Sequence, residues 1–210
     1  MTKRIPFILI SVFAVLVGLY PFLYFFVERN FGLLQSKEAF LLSSTAWNIG
    51  FYTHIILGGL ALLAGWPQFV SKWRDNNPKI HRTIGKFYVG FVMASSLAGI
   101  YIGWFATGGI IPAAGFISLG LVWFFTTLTA YRYIRNGKVD EHQHMMIYSY
   151  AACFAAVMLR IYLPILTSVF GDFLPAYKIV AWLCWVPNMI VAYFIVRNIK
   201  KKAETNITTA

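Results

Sequence analysis

The fold of this chain is decided by one run of 23 residues, HQHMMIYSYAACFAAVMLRIYLP (142–164), which contains no charged side chain other than Arg160. A run of this length crosses a bilayer as a helix, because about 20 apolar residues at ~1.5 Å per residue span the hydrocarbon core. One face of that helix is formed by residues at offsets of 0, 4, 7, 11, 14 and 18, namely His142, Met146, Ser149, Cys153, Ala156 and Arg160. The sequence therefore predicts a membrane helix with a polar end, a narrow middle and a buried cation on one face.

Five further apolar runs accompany this one. Hydrophobic residues make up 59% of the 210 residues and charged residues only 12%, a composition too apolar to be buried in one soluble core. Backbone groups in lipid must be paired internally, and these runs are continuous rather than alternating. The predicted fold is therefore all-α, a six-helix transmembrane bundle. Its predicted spans are 5–27, 47–70, 84–104, 110–134, 145–166 and 179–196.

The distribution of Lys and Arg predicts the orientation. Basic residues concentrate at the N-terminus, in the 71–83 and 132–144 loops and in the C-terminal tail, whereas the opposite loops carry only Arg29, Lys37 and Lys178. Because such residues accumulate on the cytoplasmic side of membrane proteins, both termini are predicted to be cytoplasmic. The net charge of +11 then faces anionic lipid headgroups on that side, and no nucleic-acid partner is needed. The concentrated basic residues are Lys3, Arg4, Lys72, Arg74, Lys79, Arg82, Lys86, Arg132, Arg135, Lys138, Arg197, Lys200, Lys201 and Lys202.

The chain shows no sign of division into smaller units. No linker longer than a loop separates the runs, so residues 1–210 are predicted to form a single integral membrane domain with a flexible tail at 203–210. Cys153 and Cys184 lie within predicted helices and lack ligand-like spacing, which disfavours a disulfide.

The four histidines and Arg160 are the residues best suited to chemistry. His81 precedes the third span and His142 begins the fifth, which groups both at the cytoplasmic interface. His54 and Arg160 lie towards the outer leaflet, roughly 20 Å away by helical rise. His144 points about 200° away from His142 around the helix and is set aside. The sequence thus predicts two polar groups rather than one.

Arg160 demands a partner. An arginine at this depth costs at least ~2.5 kcal/mol on insertion scales. No Asp or Glu lies inside any predicted span to neutralise it. The partners that fit are His54, backbone carbonyls, water, or an anionic ligand such as a haem propionate, a quinone oxygen or a phosphate.

Four segments carry a family resemblance. They are HIILGGLALLAGWPQF (54–69), HRTIGKFYVGFV (81–92), GFISLGLVWFFTTLTA (115–130) and HQHMMIYSYAACFAAVMLRIYLP (142–164). Together they resemble the bacterial membrane-protein family called domain of unknown function 2306 over about residues 50–165. The resemblance implies the bacterial cytoplasmic (inner) membrane as the location, and it names no activity.

Individual residues match the pattern of that family. His144 and Met145 depart from it, standing where the family often has Arg and Trp, and Tyr148 stands where it often has Arg. These departures make the cytoplasmic group less basic here. The matching residues are His54, His81, Arg82, Gly85, Trp123, His142, Met146 and Arg160.

Three functions are compatible with these residues. The first is a small membrane redox protein that holds haem b or a quinone through His54, His81, His142 and Arg160. The second is a non-enzymatic transporter, lipid-interacting or accessory protein, in which Arg160 and His54 bind an anion or relay protons. Neither reading assigns a catalytic residue or an oligomeric state.

The third function is a metal-dependent membrane enzyme. In this hypothesis His81 and His142, with Glu141 or Asp140, hold zinc or another divalent ion near the cytoplasmic face. Whether the protein is an enzyme stays open at this point.

Overall fold

The computed structural model describes residues 4–26 and 32–208, without the side chains of 4–6 and 206–208. Lys3, Arg29 and the last residue of the first predicted span, Val27, lie outside the described residues, as does the side chain of Arg4. Within the described ranges the chain is helical and contains no strand.

Ten α-helices form the described chain. Short 3-10 helices extend α1 (Tyr20–Phe25), precede α2 (Gly32–Ser36) and extend α3 (Trp66–Phe69). In chain order the α-helices are α1 Arg4–Leu19, α2 Ala39–Ser43, α3 Thr45–Gly65, α4 Ser71–Asn76, α5 Pro78–Gly103, α6 Ile110–Arg135, α7 Val139–Cys153, α8 Ala155–Phe170, α9 Phe173–Leu183 and α10 Val186–Thr208.

Six segments of this chain are long and apolar enough to cross a membrane, which confirms the all-α, six-span prediction. An even number of crossings brings both ends of the described chain to the same side, and their cytoplasmic location stays a prediction. We call the end of the bundle with the 71–83 and 132–144 loops the basic end. The spans are Phe7–Phe25, Thr45–Phe69, Pro78–Gly103, Ile110–Arg135, Val139–Phe170 and Phe173–Thr205.

The helices pack as a ring with further helices outside it. α3 packs on α5, α5 on α6 and α6 on α7, and α7 returns to α3 and closes the ring. α1 packs on the outside of α3 and also contacts α8, while α9 and α10 cover α6, α7 and α8. This arrangement leaves the inside of the ring as the place where side chains from several spans can meet.

Four spans begin earlier than predicted, at Thr45, Pro78, Val139 and Phe173, and two of these shifts change the place of a candidate histidine. The third begins at Pro78 rather than at residue 84, because proline fits the first turn of a helix, so His81 lies inside α5 and does not precede it. The fifth begins at Val139, where Asp140 and Glu141 occupy the first turn and favour the positive end of the helix dipole. His142 therefore lies within the first turns of α7.

The predicted tail is helical as far as it is described. α10 continues to Thr208, so residues 203–208 extend the helix instead of leaving it. Lys, Ala and Glu at 200–204 are good helix formers, which explains the continuation. Residues 209–210 lie outside the described part.

The fifth and sixth spans are each interrupted, which the continuous apolar pattern does not predict. The breaks fall at Phe154 and at Cys184–Trp185. Asn188 serves both, since its Nδ2 donates to the carbonyl of Ala151 at 3.2 Å and to that of Cys184 at 3.1 Å. Carbonyls freed inside a membrane have no water to pair with, so this amide stabilises the two interruptions together.

Three ring helices meet closely at Gly65 in α3. A Cβ at this position would collide with the ring of Tyr150 from α7 and lie 2.9 Å from the ring of Tyr88 from α5. The hydroxyl of Tyr150 also donates to the carbonyl of Leu62 at 3.3 Å. Glycine at position 65 thus sets the distance between α3 and α7.

We expect Gly65→Ala to lower the free energy of unfolding by about 1–3 kcal/mol, the usual effect of overpacking. Gly90→Ala in α5 is the matched control, because a Cβ there meets nothing within 4 Å. The midpoint of thermal unfolding in detergent, followed by tryptophan fluorescence, measures both. Equal midpoints for the two variants would contradict the close packing at Gly65.

Candidate functional site

A cavity of about 200 Å³ lies within the bundle, between α1, α3, α5, α6, α8, α9 and the end of α7. It reaches from Trp123 and Cys153 in the middle of the bundle to Leu34 and Lys37 in the loop at the opposite end from the basic end. An apolar cavity of about 150 Å³ holds benzene. This one therefore has room for a single substituted ring or a headgroup of similar size.

Arg160 projects from α8 into the wall of this cavity. Its Nη1 donates to the carbonyl of Ala156 at 2.9 Å, and its guanidinium carbon lies 4.4 Å from the ring centroid of Tyr20. Its Nε is buried and has no hydrogen-bond partner in the described chain. The carbonyl of Ala156 and the ring of Tyr20 satisfy only part of the hydrogen-bonding capacity of the guanidinium. The Nε–H of Arg160 therefore remains available to a ligand.

Lys37 is a second cation on the same cavity. Its Nζ donates to the carbonyl of Phe105 at 2.6 Å, which anchors the loop at 32–38 over the cavity. Burial lowers the pKa of Lys37 to about 8, so the ammonium form still predominates at neutral pH. Among the described residues that line the cavity there is no Asp or Glu. The cavity is consequently an electropositive space of low polarity, in which a charge interacts far more strongly than in water.

His54 lies on the cavity in a fixed orientation. Its Nδ1 is 2.9 Å from the carbonyl of Ser95, and the hydroxyl of Ser95 donates to the carbonyl of His54 at 2.9 Å. Because a carbonyl only accepts, Nδ1 carries the proton and Nε2 is the nitrogen available to a ligand. Gly99 makes room for the ring, since a Cβ there would lie 2.8 Å from Nδ1.

Trp47 adds a donor that the sequence analysis did not include. Its Nε1 is buried without a hydrogen-bond partner in the described chain, and its ring stacks on Phe51 with centroids 5.1 Å apart. Both rings line the cavity. Trp47 lies seven residues before His54, two helical turns along α3, and this spacing is the signal that could have identified it.

The two histidines at the basic end are placed apart from this cavity. The Nδ1 of His142 donates to the carbonyl of Ala130 at 2.9 Å, and His81 is near enough to interact with His142 electrostatically. Asp140 and Glu141 are exposed on α7. The described residues contain no group of three or more His, Cys, Asp or Glu side chains that could hold a metal ion. The structure thus brings two histidines together without the third ligand that the metal hypothesis requires.

A buried chain of hydroxyl groups lies between the two regions. The hydroxyl of Ser149 is 2.8 Å from that of Tyr88 and 2.6 Å from that of Thr127, which joins α5, α6 and α7. His81 lines a second cavity at the basic end, which shares no lining residue with the first, and His144 lines neither. The structure therefore places His54 with Arg160, and His81 near His142, in separate regions.

Fold and cavity together define a six-span helical membrane protein with a cationic cavity inside its bundle. The chain belongs to the family described as "Predicted membrane protein (DUF2306)", whose model matches residues 51–196. The match extends past the 50–165 region of the resemblance and into α10, and it leaves the first span outside. Searches of the curated proteins and of the solved structures gave no match.

Arg160→Met should unfold at the same temperature as the unsubstituted protein or a higher one. Methionine is similar in length to arginine, and the substitution removes a buried cation whose hydrogen bonds are incompletely satisfied. Replacing buried charges with apolar side chains often leaves the folding stability unchanged or raises it. Thermal unfolding of the delipidated protein in detergent measures the effect. A fall in midpoint as large as that expected for Gly65→Ala would show that the cation holds the fold together instead of awaiting a ligand.

Proposed function

We propose that this protein binds a small amphiphile with an anionic head, a carboxylate or a phosphate, in the cavity that Arg160 lines. The observation that carries the proposal is the buried Nε of Arg160, without a hydrogen-bond partner in the described chain, in a cavity that also holds Lys37 and has no acid among its described lining residues. Two cations in such a place favour an anion, because desolvated charges are stabilised only by an opposite charge and good hydrogen bonds. This is the non-enzymatic alternative of the three functions, a protein that carries or senses such a molecule in the membrane.

The rest of the cavity fits the apolar part of this ligand. Its lining is dominated by aliphatic, aromatic and glycine residues around the polar groups already described. Because the cavity reaches the loop at 32–38, a ligand has a route from the end opposite the basic end. The head would lie against Arg160 and Lys37, and the apolar body would lie along α3 and α6.

A quinone is the second candidate, and His54 favours it. A quinone ring matches a cavity of about 200 Å³. One of its oxygens could accept from the guanidinium of Arg160, and in the reduced quinol the other hydroxyl could donate to Nε2 of His54. An Nε2 that gains or loses a proton beside a cation suits the anionic reduced forms of a quinone. Haem b, the other cofactor expected for a redox protein, is a macrocycle of four pyrrole rings and is larger than this cavity.

Binding of an eight-carbon series tests the proposal. We expect octanoate and octyl phosphate to raise the unfolding midpoint of the delipidated protein, and uncharged octanol to leave it unchanged. Arg160→Met should weaken octanoate binding about tenfold or more, the loss of one charge-assisted contact of ~1.4 kcal/mol. Arg135→Met, an exposed arginine on neither cavity, is the matched control. Equal binding of octanol and octanoate would refute an anion site.

The quinone candidate gives a different pattern in the same assay. A short-chain ubiquinone should then raise the midpoint more than octanoate does. His54→Asn keeps a donor near Ser95 but removes the position of Nε2, so it should abolish quinone binding and spare octanoate. Loss of both ligands in this variant would mean that His54 only supports the cavity wall.

The affinity for octanoate should fall as the pH rises through about 8. Below the Lys37 pKa of about 8 the ammonium group attracts the anion, and above it the group is neutral, so Arg160 remains as the main attraction. Lys37→Met should bind octanoate weakly at all pH values and lose the dependence between about pH 7 and pH 9. Titrations at several pH values check this, and an unchanged pH profile in Lys37→Met would remove Lys37 from the site.

A further inference from the structure

The second cavity, of about 220 Å³, lies at the basic end, between the 3-10 helix after α3, the short helix α4 and the first two turns of α5. It combines apolar walls with a polar edge. The apolar residues are Pro67, Trp73, Ile80 and Ile84, and the polar ones are Gln68, Arg74, Asn77 and His81. Such a mixture suits a ligand that is itself part polar and part apolar.

Gln68 presents an unused acceptor in this cavity. Its Oε1 is buried and has no hydrogen-bond partner in the described chain. Gly85 of α5 lies opposite, where a Cβ would come no closer than 3.9 Å to that oxygen, so the amide is not crowded. A buried acceptor without a donor destabilises the fold unless a ligand or solvent supplies one. The occupant should therefore carry a hydrogen-bond donor.

Arg74 makes the edge of the cavity cationic. Its Nε donates to Asp75 at 3.0 Å, which uses one of the five guanidinium N–H groups. The Arg74 side chain is 41% exposed, and Asp75 is 63% exposed. Lys72, Lys79 and Arg82 lie on the same two helices, so the positive charge exceeds that of the one carboxylate. The edge thus favours an anionic group such as a phosphodiester.

The level of the cavity matches that of lipid headgroups. Trp73 is 57% exposed, and its ring lies 6.5 Å from that of Trp66, in the last turn of the second span. Exposed tryptophans beside the ends of spans lie at the membrane–water interface. A free phosphate would leave the apolar walls uncovered, whereas a lipid would cover them with its glycerol and first acyl carbons.

We propose that this cavity binds the headgroup of an anionic phospholipid with a hydroxyl-bearing headgroup, the chemistry of phosphatidylglycerol. Its phosphate contacts Arg74 and His81, a headgroup hydroxyl donates to Oε1 of Gln68, and the apolar walls contact the chains. This site is independent of the proposed function, because the two cavities share no lining residue.

The test uses the delipidated full chain in detergent and counts bound lipid by native mass spectrometry. The ligands are dioctanoyl forms of phosphatidylglycerol, phosphatidylmethanol and phosphatidylcholine, together with glycerol 3-phosphate. Phosphatidylmethanol is anionic but lacks the hydroxyl. We expect phosphatidylglycerol to bind about fivefold or more tightly than each of the others.

The variants separate the two contacts. Arg74→Gln should weaken the binding of both anionic lipids about fivefold or more. Arg74→Lys should have an intermediate effect, because lysine keeps the positive charge but lacks the bidentate N–H groups of the guanidinium. Gln68→Leu should remove only the preference for phosphatidylglycerol over phosphatidylmethanol. Arg135→Gln, at the same end of the bundle and on neither cavity, should leave lipid binding unchanged.

Four results would overturn the proposal. Equal losses in Arg74→Gln and Arg135→Gln would indicate diffuse charge attraction, and equal binding of phosphatidylcholine would indicate filling of an apolar space. If glycerol 3-phosphate bound as tightly as phosphatidylglycerol, the cavity would be a site for a soluble phosphate. A full preference for phosphatidylglycerol in a folded Gln68→Leu variant would exclude the amide from the site.

Discussion

The guanidinium of Arg160 is held inside a membrane bundle whose described cavity offers it no carboxylate, and the organisation of the site follows from that constraint. The carbonyl of Ala156 and the ring of Tyr20 satisfy it in part. Tyr20 is supplied by the 3-10 extension of α1, so the first span contacts the cation that the fifth span carries. A buried charge is tolerated only when opposite charges or hydrogen bonds compensate it. The partners that Arg160 still lacks therefore define what the cavity can bind.

Hydropathy and helical spacing are sufficient to predict much of this protein. Length and apolar content identify the six spans, since a bilayer leaves the backbone few alternatives. Counting residues along the helices also separates His54 and Arg160 from His81 and His142. The interruptions at Phe154 and Cys184–Trp185 are not predictable in this way, because apolar residues continue through both. Asn188, which donates to the freed carbonyls of Ala151 and Cys184, lies a full turn after Cys184.

Residues in loops and at helix ends account for most of the rest that sequence reasoning missed. In the sequence, Lys37 is an ordinary charged residue of a loop. The fold brings its Nζ to the carbonyl of Phe105, which is 68 positions away in the chain. Gln68 likewise lies at the end of the second span, and only the packing of α4 and α5 buries its oxygen. Such contacts depend on how the chain returns on itself, and neither composition nor periodicity encodes that return. The residues that surround Lys37 and Gln68 are distant in sequence, so no local pattern marks them.

The residues that line the cavity come from two parts of the chain, one that the family model matches and one that it does not. His54 and Arg160 lie within the region that the family model matches, whereas Tyr24, Lys37 and Trp47 come from the segment before residue 51. The matched region thus holds His54 and Arg160, and residues before it complete the wall around them. A substitution at Lys37 or Tyr24 would therefore reshape the outer part of the chamber without touching the two polar groups in its centre.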